Sequence, residues 1–410
     1  MSATLTSPYD YAASLDGLRH DIRQFATIKE DQPKELPTAE QLAQAAADGV
    51  PATVLDYCAT CNGPRLQWQV GDGQRISGSL NLMDYHSLFE VDWAEELLCD
   101  SPYDDARLHL FRPVDHFHDT NSVGLIFDER HDPELYYYDF DHSRLYPLRV
   151  DLPAYFTLLR YARGFMHWQS LLLLLNQPGG EARPFDPETN GGVHINTIRG
   201  TLAALPQVVP GFSVDGFVAL FDQLKLPHSL SDAPPPPLAG AALQRAFWRF
   251  RGRYDIADFE YYAYEEEHLV ELAGSAEKAT AFELLGTTEE GGSVLALWQR
   301  PGQPAAERPV VWLDADGNPP AVLAASLADF LTLLPYGTAA LYELARDPTA
   351  DAPDPEALLA DNAAAHEGAD IYRRWLAEVA GLAIAPQPPQ LVAQAAPLLP
   401  ELQQWLAKAE

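Results

Sequence analysis

The sequence predicts an α+β fold, with helices packed against a mainly antiparallel sheet and this unit duplicated in tandem. Three observations lead to this prediction. Apolar residues of the first half follow helical spacing, then alternate with polar residues along short segments, then return to helical spacing, which segregates helices from strands. A proline run at 234–237 divides the chain into parts of comparable size. A block that begins at Asp139 recurs from Asp314.

The first helix is predicted from apolar spacing near the N-terminus. Leu15, Leu18, Ile22, Phe25 and Ile28 recur every three or four residues. This spacing is typical of the buried face of one amphipathic helix. We therefore expect this helix to pack on the core along one side.

Two further helices are predicted from residues that favour helix ends. Thr38 can cap a helix over 38–48, and Gln41 stands at the third helical position, which together predict a capping box. A third helix begins at Pro51, a residue suited to the first helical turn. It ends at Asn62-Gly63, because these residues tolerate the left-handed conformation that closes a helix.

Strands follow these helices. Leu66, Trp68 and Val70 alternate with polar residues, which predicts a half-buried strand. Segments 122–128 and 135–139 are short, apolar and rich in β-branched and aromatic residues, as strands are. The spacing of apolar residues after Pro153 is again helical.

An internal repeat supports the duplication. The block Asp139–Tyr161 aligns with Asp314–Tyr336 without a gap, and eight of 23 positions are identical. The identical pairs are Asp139/Asp314, Asp141/Asp316, Leu148/Leu323, Leu152/Leu327, Thr157/Thr332, Leu158/Leu333, Leu159/Leu334 and Tyr161/Tyr336. Both copies predict a strand, a tight polar turn, a strand and an amphipathic helix. We interpret the chain as one domain at 1–226, a Pro-rich linker at 227–240 and a second, degenerate copy at 241–410.

The order of several short motifs resembles a known family. The helix of Val50–Gly63 with its Asn-Gly end, followed by the strand that starts at Leu66, resembles the start of a SMI1/KNR4 (SUKH superfamily) domain. The segments that follow in the family's order are Leu82–Tyr85, Phe111–Asp115, Val123–Phe127, Tyr136–Asp139 and Leu152–Leu159. The resemblance covers most of 35–170. In the second half, Leu285–Gly292, Val294–Trp298 and the repeat block resemble the same domain.

This resemblance implies a binding function without catalysis. Many members of the family are bacterial immunity proteins that neutralise a cognate toxin, and fungal relatives are interaction hubs in cell-wall regulation. The alternatives are a regulatory or scaffolding protein without a toxin partner, and an enzyme of unknown class.

Composition constrains the partners. Asp and Glu number 59 against 27 Lys and Arg, which gives a net charge of −32. An acidic surface repels phosphate backbones and anionic lipids, so we expect a basic protein partner such as a toxin, and neither nucleic acid nor membrane. The N-terminus shows no secretory signal, and three cysteines cannot build a disulfide framework, so we expect a cytoplasmic protein. The sequence leaves the oligomeric state open.

Motifs that could carry chemistry are incomplete. Cys58 and Cys61 have the spacing of a redox or zinc pair, but a structural zinc needs four ligands, and we favour thiols packed as small hydrophobic groups. His116 and His118 could share one face of a strand as metal ligands, yet polar loop histidines are the simpler interpretation. Asp314–Asn318 resembles a calcium loop that lacks its bidentate Glu, so we interpret it as a hairpin turn.

Further enzymatic signatures are missing from the sequence. It contains no Gly-x-Ser-x-Gly elbow, no Walker phosphate loop and no His-Glu-x-x-His, the motifs of common hydrolases and nucleotide-binding enzymes. We therefore predict that the chain is not an enzyme and uses no cofactor or metal.

Aromatic residues near carboxylates are the candidates for partner binding. Exposed Trp and Tyr dominate interface hot spots, and acidic neighbours steer a basic partner. The alternative, core packing, should hold for at least half of these rings. We predict Tyr137 as the anchor. The predicted partner-binding residues are Trp68, Asp92, Trp93, Tyr137, Asp139, Asp141, Trp312, Asp314 and Asp316.

Overall fold

The computed structural model contains two compact units, Met1–Ala233 and Pro234–Glu410. The residues that it describes are 9–31, 34–70, 76–93, 105–118, 121–129, 133–139, 144–176, 193–229, 234–251, 254, 256–257, 259–260, 266–288, 292–300, 303, 307–347 and 354–407. Both units combine helices with antiparallel sheets, which confirms the predicted α+β class. None of the helices in these ranges is both long enough and apolar enough to span a membrane.

The first unit begins and ends with helices. Its helices are α1 (Tyr11–Arg23), α2 (Ala39–Ala47), α3 (Ala52–Thr60), α4 (Tyr85–Phe89), α5 (Leu152–Ala162), α6 (Trp168–Leu175), α7 (Val193–Val208) and α8 (Val214–Leu224). Its strands are β1 (Thr27–Glu30), β2 (Arg65–Gln69), β3 (Ser77–Asn81), β4 (Phe111–His118), β5 (Asn121–Ile126), β6 (Leu135–Asp139) and β7 (Arg144–Pro147). Strands β1–β3 form one antiparallel sheet, and β4–β7 form a four-stranded antiparallel meander.

Capping and periodicity explain the first elements. The Thr38 hydroxyl and the Gln41 side chain form the predicted capping box of α2. Leu15, Leu18 and Ile22 are buried along α1 as predicted. The prediction that Ile28 continues this helix was wrong, because α1 ends at Arg23 and Ile28 lies in β1, paired with Trp68 of β2.

The second unit contains one five-stranded antiparallel sheet surrounded in sequence by helices. Its strands, in spatial order, are β12 (Ala321–Ala324), β11 (Val310–Leu313), β10 (Val294–Trp298), β9 (Phe282–Thr288) and β8 (Phe259–Glu260). Its helices are α9 (Gly240–Arg251), α10 (Glu266–Ala273), α11 (Ala276–Ala279), α12 (Leu327–Leu333), α13 (Thr338–Arg346), α14 (Pro355–Ala365), α15 (Ala369–Glu378), α16 (Pro388–Ala395) and α17 (Leu399–Ala407). Strands β10–β12 are buried throughout.

The sequence repeat corresponds to the same order of elements in both units. Strands β6 and β7 precede α5, and β11 and β12 precede α12. The caps also match, because Asp151 and Ser326 each accept a hydrogen bond from the backbone at the third helical position. Tyr155 and Phe330 occupy the same position of the two helices, and both are 0 % exposed. The aligned helices therefore bury the same aromatic position.

The predicted linker at 227–240 is anchored at both of its ends. The Arg149 guanidinium donates to the carbonyls of Leu226 and Pro227, and these residues belong to the first unit. In the second unit, the Leu238 amide donates to the Ala380 carbonyl at 2.8 Å. Residues 230–233 lie outside the described ranges.

Candidate protein-binding surface

Two of the predicted tryptophans are buried. Trp68 is 3 % exposed, and its indole nitrogen donates to the Arg163 carbonyl at 2.8 Å. Trp312 is 7 % exposed and stacks on Tyr342, with ring centroids 4.7 Å apart. Neither ring is available to a partner in this geometry, so the core-packing alternative holds for both.

Tyr137 is also buried, so the prediction of an exposed anchor there was wrong. It is 2 % exposed, and its hydroxyl lies 3.3 Å from the Ser170 hydroxyl. Strand β6 is buried along its whole length because it lies inside the meander and both of its faces are covered. Asp139 at the end of the same strand is 7 % exposed.

The acidic residues of the second copy form a turn. The Asp314 carboxylate accepts hydrogen bonds from the amides of Asp316 and Asn318 at 2.9 and 3.0 Å, and the turn connects the paired strands β11 and β12. The interpretation as a hairpin turn is confirmed. Asp316 is exposed. Its partner in the repeat, Asp141, lies outside the described residues.

Asp92 and Trp93 lie beside α4. Asp92 is exposed and Trp93 is half-buried. The Trp93 indole donates to the Ser87 carbonyl of α4, and its ring centroid lies 6.0 Å from that of His116. Of the predicted aromatic residues, Trp93 is the one whose ring is partly open to solvent in the described structure.

Further half-buried aromatic rings lie next to α4. Tyr85 and Phe89 are on the helix, with ring centroids 4.9 Å apart. Phe89 stacks on Phe127 at 5.5 Å. All three pack on the hydrophobic core with one part and meet solvent with another.

Leu36 lies in a segment whose neighbouring residues contact the start of α4. The Lys34 ammonium lies 3.1 Å from the Asp84 carboxylate, and the Tyr85 hydroxyl donates to the Gln41 carbonyl at 3.1 Å. These contacts join the chain before and after Leu36 to Asp84 and Tyr85 at the start of α4. Leu36 is 50 % exposed, and it is the one large hydrophobic residue classed as exposed among the residues described. We call Leu36, Tyr85, Phe89, Trp93 and Phe127 the α4 surface.

Carboxylates surround the α4 surface. Glu35 and Glu40 flank Leu36 in sequence, and Glu90 and Asp92 follow α4; all four are exposed. Glu90 pairs with His86. The α4 surface is therefore an apolar patch with an acidic rim, the composition of many protein interfaces.

Asp84 fixes the start of α4. Its carboxylate caps the helix by accepting from the Ser87 amide at 3.0 Å, and it also accepts from the Ser87 hydroxyl. Burial alone would raise the pKa of Asp84, but the hydrogen bonds from Ser87 and the ion pair with Lys34 hold the pKa below its ordinary value of 3.8. The capped carboxylate is therefore ionised at neutral pH.

A second, buried carboxylate holds the strand segment that leads into α4. The Asn81 amide donates to the Asp115 carboxylate at 3.2 Å, and Leu82 pairs with Asp115 in an isolated antiparallel bridge. The Met83 amide donates to the Val114 carbonyl at 2.8 Å. Strand β4 thus fixes the chain immediately before the helix.

Asp115 is 0 % exposed and is satisfied by side chains from two helices. The Tyr155 hydroxyl of α5 donates to it at 2.7 Å, and the Gln169 side chain of α6 donates at 2.9 Å. Burial raises the pKa of Asp115 above 3.8, although these hydrogen bonds act in the opposite direction. Sequence reasoning missed this residue; the available signal was a carboxylate within a strand segment whose apolar residues Val114 and Phe117 are buried.

The cysteine pair is part of the core. Cys58 and Cys61 are both 0 % exposed, as expected for thiols that pack as small hydrophobic groups. Burial raises the pKa of Cys61 to about 11, against the opposing effect of its hydrogen bond with Tyr57. Burial likewise raises the pKa of Cys58 far above that of a free thiol. These thiols are poor nucleophiles in the folded chain.

Of the two histidines, His116 has a described side chain. His116 is half-buried, and its Nδ1 lies 2.6 Å from the Ser122 hydroxyl. The side chain of His118 lies outside the described part. Within the described ranges, no group of three or more His, Cys, Asp or Glu could hold a metal ion.

The chemistry of the α4 surface is that of association. It offers apolar rings, one exposed aliphatic side chain and carboxylates, which can bind a protein by contact and charge.

Comparisons with known proteins found no match: no protein-family model, no curated protein and no solved structure matches this chain.

Proposed function

We propose that this chain is a non-enzymatic immunity protein that binds a basic bacterial toxin in the cytoplasm and covers its active surface. The observation that carries the proposal is the placement of charge. Among the described residues, the buried acidic side chains are Asp84, Asp115, Glu134 and Asp139. The other described carboxylates are at least partly open to solvent, in a chain of net charge −32.

This charge suits capture of a basic enzyme. An acidic surface attracts a basic partner over several ångströms and raises the association rate constant, whereas contacts formed after docking set the dissociation rate. An inhibitor that acts one-to-one gains from fast capture, because each free toxin molecule remains active until it is bound. The order of motifs that resembles SMI1/KNR4 domains supports the same function.

A scaffolding function is the second candidate. The repeat of strand, turn, strand and helix in two compact units favours a protein that bridges two ligands, because linked sites gain avidity when both can be engaged. The two candidates differ in stoichiometry. An immunity protein holds one toxin molecule, and a scaffold holds two ligands at once.

The test is whether this chain rescues growth from the toxicity of the protein encoded by the neighbouring gene. The neighbouring gene is expressed in a laboratory bacterium with and without this chain. Toxicity that the chain relieves, together with a one-to-one complex in light scattering, supports the immunity function. A neighbouring gene product that is not toxic, or toxicity that the chain leaves unchanged, contradicts the immunity function. Two ligands bound per chain would favour the scaffold.

Ionic strength tests the electrostatic part separately. Stopped-flow mixing of chain and partner is repeated from low to high salt. We expect the association rate constant to fall by about tenfold or more and the dissociation rate constant to change much less. Equal rate constants at all salt concentrations would contradict steering by charge while leaving the growth result intact.

A further inference from the structure

We infer that the α4 surface of the first unit is the docking site, and that its occupant is a basic segment of a partner protein that carries an aliphatic or aromatic anchor. This inference rests on the proposed function and deepens it, because it chooses one face of one unit. The first part of the argument is exposure. Leu36 is 50 % exposed, and it lies between Lys34 and Gln41, which contact Asp84 and Tyr85 at the start of α4.

The second part is contiguity. Single exposed apolar residues are normal on protein surfaces, whereas contiguous apolar patches with polar rims mark binding sites. The Phe89 ring contacts both Tyr85 and Phe127, with ring centroids 4.9 and 5.5 Å apart. Trp93 is fixed to α4 through the Ser87 carbonyl. Tyr and Trp contribute large contact areas at low entropic cost when a partner covers them.

The third part is charge complementarity, which selects the occupant. Glu35, Glu90 and Asp92 adjoin Leu36, Phe89 and Trp93 in sequence. Glu40 precedes Gln41, whose carbonyl accepts from Tyr85, and all four carboxylates are exposed. Lys34, a cation near the start of α4, pairs with Asp84. A rim of this sign attracts Lys and Arg and repels acidic segments, so the apolar centre and the rim fit a basic segment with an apolar anchor.

The fourth part is rigidity. The helix is capped by Asp84, and the strand segment before it is held by the buried Asp115 carboxylate. A surface fixed in this way loses little conformational entropy on binding. The Asp314–Asn318 turn of the second unit also carries an exposed carboxylate, Asp316, but the aromatic residues Trp312 and Tyr342 beside it are buried.

The test uses a phage-displayed library of random peptides of about a dozen residues, panned on the full chain. We expect enriched peptides that combine Lys or Arg with Leu, Phe or Trp. Synthetic copies should bind the Leu36→Ala variant about tenfold more weakly than the unchanged chain. Leu36→Ala should leave the urea unfolding midpoint unchanged, because this side chain is half exposed.

Two double variants with the same change in net charge test whether the carboxylates near the α4 surface, rather than the net charge of the chain, attract the peptides. Glu35→Lys with Asp92→Lys reverses charges at the α4 surface, and Asp316→Lys with Glu367→Lys reverses exposed charges of the second unit. We expect peptide binding to fall about tenfold in the first double variant and to remain in the second. Enriched peptides without basic residues, or equal binding by all variants, would overturn the inference.

The same variants separate this inference from the proposed function. If the chain rescues growth and Leu36→Ala rescues equally well, the toxin docks elsewhere and the inference falls while the function stands. If no rescue occurs, the proposed function falls, and the peptide experiment still decides whether the α4 surface binds basic segments.

Discussion

The hydroxyl of Tyr155 donates a 2.7 Å hydrogen bond to the carboxylate of Asp115, and both side chains are 0 % exposed. The matching position of the repeat in the second unit is Phe330, which is equally buried. The ring at this position therefore serves the core in both copies, and the first copy adds a hydroxyl that meets a buried carboxylate. The comparison distinguishes two roles of Tyr155: its ring packs in the core, and its hydroxyl forms a hydrogen bond with Asp115.

Replacing Tyr155 by Phe measures the contribution of the hydroxyl alone. The ring is kept, but the carboxylate of Asp115 loses one donor, and a buried charged group that lacks a hydrogen bond is costly. We expect a loss of about 1–3 kcal/mol in the free energy of unfolding, measured by urea denaturation. Tyr161→Phe is the control, because its hydroxyl lies 3.4 Å from the exposed Ser213 carbonyl and should contribute within about 0.5 kcal/mol. Equal losses in both variants would contradict the prediction.

The free energy of unfolding should depend on pH through the protonation of Asp115. Burial raises its pKa above 3.8, so the folded state binds the proton more tightly than the unfolded state. The contribution of protonated Asp115 to the free energy of unfolding is therefore complete below pH 3.8, and it is lost as the pH rises through the raised pKa. We therefore expect the difference in unfolding free energy between the unchanged chain and Asp115→Asn to decrease with rising pH in that window. A difference that is constant or increases with pH would refute this assignment.

The buried thiols should resist modification. At pH 8 a thiol with a pKa of about 11, as at Cys61, is almost entirely protonated, and the thiolate is the reactive form. In a Cys99→Ser variant, we expect a thiol reagent such as DTNB to label Cys58 and Cys61 at least about a hundredfold more slowly in the folded chain than in urea. Rapid labelling under native conditions would show that the pair is accessible and would restore the redox interpretation.

Local patterns predicted several elements correctly because the causes are local. The capping box of Thr38 depends on residues three positions apart, and the turn at Asp314 depends on hydrogen bonds within five residues. Alternation likewise predicted a half-buried strand at β2, where Leu66 and Trp68 are buried, although Trp68 was assigned to partner binding. The end of α1 was missed because Ile28 continues the helical spacing, and its pairing with Trp68 depends on a distant strand.

The candidate site was less accessible to prediction. The run Leu135–Tyr138 is apolar at every position, which is the pattern of a strand covered on both faces, so Tyr137 could have been assigned to the core. Asp92 and Trp93 were predicted as binding residues; Trp93 belongs to the α4 surface, and Asp92 precedes it in sequence. Leu36 stands alone in a polar stretch, and its position beside α4 depends on tertiary contacts of Lys34 and Tyr85, which no local pattern contains.

Gly381 tests whether the proline run is packed on the second unit. Its φ is +67°, and a Cβ atom there would lie 2.7–2.8 Å from the carbonyl oxygens of Pro236 and Pro235. Gly381→Ala therefore adds a backbone clash to the strain of a left-handed residue, and we expect a loss of about 2–4 kcal/mol in unfolding free energy. Gly317→Ala is the matched control, because its φ is +81° and nothing lies within 4 Å, so strain alone should cost about 1 kcal/mol. Equal costs for the two variants would mean that the proline carbonyls do not pack against Gly381 in solution.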